Sequence, residues 1–321
     1  MQAVISPVST TPVPNRVTLW AALLSVYILW GSTYLFIHFM TERMPPLYMA
    51  SIRYIIAGTL LYSYARLTGT PRATRVQWKS AGIIGVLLLT IANGCLTAGI
   101  QYIPTGMAAL LGGLLPVFLL SLNWVSFGKQ RPTNLALAGL VLGLVGIYFL
   151  IKPDKLHGAG GIHANLIGTG LIAFGNLSWA VGTLLTPRLT LPSGILSSGI
   201  QMLVGGFVLL LFSLAVEPVV PWSIVYAPTK ALGAVLYLVI FGSIIGFSSY
   251  SWLARNAPPQ LLSTYAFVNP VVAVMLGTLF AGEVFSSQSF MGAAIALVGV
   301  VLITLGKERI GTPNRGKRVK A

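Results

Sequence analysis

Apolar runs of about 20 residues alternate with short polar loops along almost the whole chain. A helix that crosses a bilayer needs about 20 mostly apolar residues. Ten such segments fit, at 17–39, 46–67, 78–100, 105–127, 133–151, 164–186, 194–215, 229–253, 259–281 and 287–306. The pattern predicts an all-α polytopic membrane protein with ten transmembrane helices and no separate soluble domain. The first run is too long for a signal-peptide core and its flank lacks a small-residue cleavage site, so it is expected to stay as the first span. Residues 1–16, rich in Pro, Ser and Thr, read as a disordered tail, 152–163 as a linker and 307–321 as a basic tail.

The spans fall into two halves that repeat each other. Trp30-Gly31-Ser32-Thr33 has its counterpart near Trp179-Ala180-Val181-Gly182-Thr183, and Ser51–Gly58 aligns with Gly199–Gly206. Pro116 and Gly128 match Pro270 and Gly282, while Gly139 and Gly146 match Gly292 and Gly299. A repeat with five spans enters the membrane in one sense and its copy in the other, so 17–151 and 164–306 are expected to form two inverted five-helix repeats. Many carriers are built this way, with the solute near the midplane between the halves.

Composition narrows the class. Only 8% of the 321 residues are charged, against about a quarter in soluble domains. A net charge of +15 would suit a nucleic-acid binder, but the basic residues sit in short loops and a tail, where they set membrane orientation. Of 20 Lys and Arg, fifteen fall on one side of the ten spans, four (Arg43, Lys152, Lys155 and Lys230) on the other, and Arg53 lies inside a span. That bias predicts both termini in the cytoplasm, in agreement with an even number of spans. The basic tail 307–320 reads as an anchor to anionic lipid. Cys95 is the single cysteine, so no intrachain disulfide or CxxC site exists. Three histidines and five acids give no metal or cofactor site, and no GxxxxGK[ST] loop is present.

Polar side chains inside spans are costly unless paired or facing water, so they mark candidate function. Trp30, Thr33, Tyr34 and His38 share one stripe of the first span, and Thr90, Asn93, Thr97 and Gln101 one of the third. Asn176, Trp179 and Thr183 line the sixth, Ser197 and Gln201 the seventh, Ser248 and Trp252 the eighth, Tyr265 and Asn269 the ninth. Arg53, the one formal charge well inside a span, could snorkel outward, hold helix ends together or bind a solute carboxylate or phosphate. Its repeat mate is Gln201, so the charge belongs to one half. The candidate solute-binding set is Trp30, Tyr34, Arg53, Asn93, Thr97, Trp179, Gln201, Ser248, Tyr265 and Asn269. Pro116 and Pro270, each lacking a backbone donor, are candidate hinges. Small residues four apart, at Gly139/Gly143, Gly242/Gly246, Gly292/Ala296 and Ala108/Gly112, predict close helix contacts.

These features resemble the drug/metabolite transporter superfamily, and within it the EamA-type ten-span exporters, over residues 17–306. The resemblance rests on Trp30-Gly31-Ser32, on Arg53 in Ser-Ile-Arg-Tyr, on Pro116 followed by Phe127-Gly128-Lys129, and on Asn269-Pro270-Val271-Val272 with Ala281-Gly282-Glu283. It implies two inverted five-helix repeats, a cavity lined by spans 1, 3, 4, 6, 8 and 9, and export of small metabolites, often amino acids, across the inner membrane. Where fourth spans of the family often end in Gly-Glu, Lys129 stands here. Family membership alone fixes no substrate. The expected partners are a small-molecule solute and the lipid bilayer, with no nucleic acid. An exporter of drugs is the alternative. A channel would need a filter or charged ring, and an enzyme clustered acids or histidines; the sequence offers neither. Accessibility tags at Lys155 and at the carboxyl end should report opposite compartments; labelling from the same side would remove the inverted topology.

Overall fold

The computed structural model describes residues 15–41, 45–102, 111–127, 131–151, 161–217, 229–280 and 287–306. Residues 152–160 of the expected linker 152–163, most of the two tails, Lys129 and Glu283 lie outside the described residues, as do the side chains of Tyr34 and His38; residues 161–163 belong to a helix. Within the described residues the chain is helical, without strands. In order, the helices are α1 Arg16–Thr41, α2 Pro46–Leu67, α3 Arg75–Gly99, α4 Leu115–Phe127 and α5 Asn134–Ile151. The second set is α6 Gly161–Leu185, α7 Gly194–Val216, α8 Thr229–Asn256, α9 Tyr265–Phe280 and α10 Ser287–Leu305. By length and composition α3, α7, α8 from Leu232 and the stretch Leu166–Arg188 can each cross a bilayer, and α4, α5 and α10 contain shorter apolar helices.

Lipid gives helices no hydrophobic reason to associate, so they hold together where small residues let backbones approach. Two seams do this here. A methyl group on Gly58 of α2 would lie 2.7 Å from the Leu203 nitrogen of α7, and one on Gly199 would lie 2.9 Å from the Tyr62 nitrogen. Likewise a methyl on Gly139 of α5 would stand 2.7 Å from the Gly299 carbonyl of α10, while Gly146 abuts Ala296. In both seams the contacts run in opposite chain directions. Since α2 and α7, and α5 and α10, are equivalent helices of the repeat, the two halves are inverted relative to each other. Crosswise contacts complete the arrangement: α1 packs on α8 and α9 of the other half, and α6 on α3 and α4.

Local structure follows from identifiable residues. Thr74 and Gln77 form a reciprocal capping box that starts α3. Pro45, at the N-cap of α2, has no capping side chain, and the Glu217 carboxylate from the end of α7 replaces it. It accepts from the Leu47 and Tyr48 nitrogens at 2.9 and 2.8 Å, and the Ser213 hydroxyl donates to it at 2.7 Å. A carboxylate at a helix N-terminus is favourable both as acceptor and against the helix dipole.

Two π-helical stretches, Val86–Ala92 in α3 and Leu238–Phe247 in α8, occupy matching places in the two halves. A π turn adds a residue per turn and rotates everything beyond it. That rotation splits the polar stripe read on the third span. Thr90 turns to the Gly205 carbonyl of α7 at 2.7 Å, Asn93 faces the interior and Gln101 is exposed. The candidate hinges also differ from each other. Pro116 sits in the first turn of α4 after a break at 113–114, whereas Pro270 lies inside α9.

Leu23, Leu253, Leu261 and Leu262 are buried toward the end of the bundle where α1 begins, and Met49 and Leu238 toward the end where α2 begins. Substituting Gly299→Leu should cost about 1–3 kcal/mol through overpacking, whereas Gly170→Ala, with nothing within 4 Å, should leave stability unchanged. Thermal unfolding of the purified variants measures both.

Candidate functional site

A cavity of about 150 Å³ opens between the repeats. Its walls come from α1, α2, α3, α6, α8 and α9, with Gly112 and Leu115 from the start of α4. The lining residues of α1, α2 and α3 belong to the ends of those helices nearest the α1–α2 connection, away from Leu23, Leu253, Leu261 and Leu262. An apolar space of this volume takes up a group the size of benzene.

A layer of aromatic rings closes the cavity toward the end where α1 begins. Trp30 stacks on Tyr250 at 5.0 Å between centroids and meets Trp179 and Tyr265 edge-on at 5.5 and 5.3 Å. Offset and edge-on pairs suit the ring quadrupoles. The Trp30 indole lies against Gly246 and donates to the Gly242 carbonyl at 3.1 Å, while Gly242 itself faces Thr33. Of this pair, expected to allow close helix contacts, Gly246 makes room for an indole. The Tyr250 hydroxyl is the node of the layer, receiving the Trp179 indole N–H at 2.5 Å and sharing a hydrogen bond with Thr183. One step further from the cavity, Tyr27 bonds to Thr264, tying α1 to the turn before α9. Its counterpart in the other half is Asn176, which donates to the Leu111 carbonyl at 2.7 Å.

Arg53 lines the cavity although its side chain is only 8% exposed. Its guanidinium lies 4.4 Å from the centre of the Tyr54 ring and donates to the Tyr54 hydroxyl, while Nε is buried with no partner. Among the described residues no carboxylate pairs with it; Glu217, the one acid described, is engaged at the cap of α2. A guanidinium taken out of water without a counter-charge costs several kcal/mol. Snorkelling, one of the readings open from sequence, does not describe this side chain.

Of the residues singled out from sequence, Trp30, Arg53, Asn93, Trp179, Tyr265 and Asn269 line this one cavity, as does Pro270. Asn269 bridges α9 to α1, its amide nitrogen reaching the Tyr265 and Tyr27 carbonyls at 3.2 Å each. Pro270 cannot donate to the Ala266 carbonyl one turn back, and Ala266 also lines the cavity. Thr97, Ser248, Gln201 and Pro116 are not among the lining residues. Ser248 follows the π stretch of α8, whose rotation turns Phe247 into the cavity in its stead. Gln201 is fully buried, donates to Ser197 at 2.9 Å and packs its backbone against Gly85, so it serves the α3–α7 contact. Tyr250 was missed from sequence, because its place two residues after Ser248 puts it off the predicted polar stripe.

Two halves related by inversion, a cavity between them and polar groups at mid-helix define a membrane transport protein. The chain belongs to the EamA-like transporter family, which it matches over residues 17–152 and 166–305. It is 38% identical over 291 residues to "Uncharacterized inner membrane transporter YedA" of Escherichia coli (strain K12), covering 90% of this chain and 91% of that one. It is 27% identical over 306 residues to "Protein PecM" of Dickeya dadantii (strain 3937), covering 91% and 92%. A solved crystal structure of a protein 18% identical in sequence superimposes with a TM-score of 0.76 over 92% of this chain and 100% of that chain, which shows the fold.

Replacing Tyr250 by Phe leaves the Trp179 N–H without its acceptor in a buried layer. The expected loss is about 1–3 kcal/mol, read as a lower melting temperature, while Thr183→Val, which keeps the Trp179 bond, should cost less.

Proposed function

We propose that this protein is a secondary transporter of the inner (plasma) membrane that exports small metabolites, amino acids or related zwitterions foremost, by alternating access. The observation that carries the reading is Arg53: a buried guanidinium with an unused donor, facing a cavity walled by aromatic rings. A solute carboxylate would supply the missing counter-charge through charge-assisted hydrogen bonds. The aromatic layer would hold the apolar part of the solute. This favours an anion or zwitterion over a cationic drug, since Arg53 is the one charged side chain among the described lining residues.

The ten helices, read as ten spans, put residues 17–151 and 164–306 into the two rocking units, with both termini in the cytoplasm. In that orientation the lining residues of α1, α2 and α3 lie toward the outer side, and the aromatic layer with Leu23, Leu253, Leu261 and Leu262 closes the cytoplasmic side. The conformation is then outward-facing. The return state exchanges the roles of the repeats around the same site. Opening toward the cytoplasm requires the Tyr27–Thr264 bond to part, because it joins the first repeat to the second across the closed end. Differential affinity of solute for the two states would then set their populations.

Efflux of labelled amino acids from cells tests the reading. Arg53→Gln should slow efflux about tenfold or more at matched expression, the loss expected for one hydrogen bond to a charged group. Undiminished efflux would take Arg53 out of the site.

A further inference from the structure

The polar groups of the cavity are sorted by type. On α3 and α6 they leave acceptors free; on α2 they leave a donor free. A methyl group on Gly175 would lie 3.0 Å from the Ala92 carbonyl oxygen and 3.2 Å from the Cys95 Cβ, so α3 and α6 touch there. Asn93 and Asn176, each the next residue along, flank that contact and line the cavity. Asn93 donates through Nδ2 to the Leu88 carbonyl at 3.0 Å, and Asn176 through Nδ2 to the Leu111 carbonyl at 2.7 Å. A carbonyl oxygen can only be served by the amide nitrogen, so chemistry settles which way each carboxamide points. Its Oδ1 is turned away from that carbonyl and receives no hydrogen bond among the described residues.

The indole donors of the cavity are already used, Trp30 on Gly242 and Trp179 on Tyr250. Arg53 Nε is a donor left without a partner among the described residues. The Ala266 carbonyl, deprived of its helical donor by Pro270, adds an acceptor on α9. An amino-acid head group presents the complement: a carboxylate that only accepts and an ammonium that only donates.

We propose that the Oδ1 atoms of Asn93 and Asn176 form an ammonium subsite, so that the solute class is an α-amino acid with a free primary amine and not a simple carboxylate. The inference rests on the export reading above and deepens it. Neutral carboxamides suit this task in a carrier: they recognise a donor-only group without the fixed negative charge that would attract any cation into the empty site.

Three probes separate the possibilities by calorimetric titration of the purified full chain: L-phenylalanine, 3-phenylpropionate and 2-phenylethylamine. Their common ring is of the size the cavity admits. The wild type should bind phenylalanine about tenfold or more tightly than 3-phenylpropionate, as expected when an ammonium finds hydrogen-bond acceptors. Asn93→Leu and Asn176→Leu should each erase that preference while leaving 3-phenylpropionate binding unchanged, and Arg53→Gln should abolish 3-phenylpropionate binding. Equal wild-type affinity for phenylalanine and 3-phenylpropionate overturns the subsite while the anion reading at Arg53 stands. A preference that survives both leucine substitutions overturns it too. Binding of none of the three overturns the subsite and the amino-acid reading together. The wild-type comparison needs no variant, so misfolding of a leucine variant does not shelter the proposal.

Discussion

Backbone-to-backbone contact at two glycine seams is the constraint on which this architecture depends. Without a hydrophobic drive between helices in lipid, close approach must supply the attraction. Here α2 lies on α7 and α5 on α10, each pair equivalent under the repeat and each antiparallel. Those two seams fix the inversion of the halves. They also leave α1, α3, α4, α6, α8 and α9 between them, and the cavity forms among these six with Arg53 and Tyr54 reaching in from α2.

A scaffold with twofold symmetry carries a site without it. Arg53 and Gln201 occupy matching positions on α2 and α7, yet Arg53 lines the cavity while Gln201 is buried away from it, its amide nitrogen on Ser197 and its backbone against α3. The aromatic layer is uneven in the same way. Trp30 and Trp179 are repeat mates, but Trp30 donates to the Gly242 carbonyl and Trp179 to the Tyr250 hydroxyl, which also bonds Thr183. Inverted repeats make the two end states alike in backbone; such differences let side chains make them unlike in energy.

The buried polar groups sort into those that are satisfied and those that are not. Thr90, Ser178, Asn176 and Trp30 each spend a donor on a carbonyl of another helix, which removes the cost of keeping them out of water. Arg53 Nε has no such partner. It is a buried donor without a partner among the described residues, on a side chain that lines the cavity.

Much of this was legible in the sequence, because length and hydropathy determine helices in a bilayer and duplication shows as offset motifs. The all-α class, the repeat, the glycine contacts of α5 with α10, and the polar stripes from which six of the ten candidates come to line one cavity follow from those patterns. The side chains of Thr97, Ser248 and Gln201 were read onto an ideal α-helical face, and the tertiary structure decided otherwise. Two π stretches rotate α3 and α8 beyond what a period of 3.6 residues allows, and Gln201 turns its amide to Ser197 on its own helix while its backbone packs on α3. Tyr250 escaped for the same reason. Sequence sets which residues a helix contains; the rotation of each helix about its axis, and so which side chains meet at the cavity, is settled only when the helices pack.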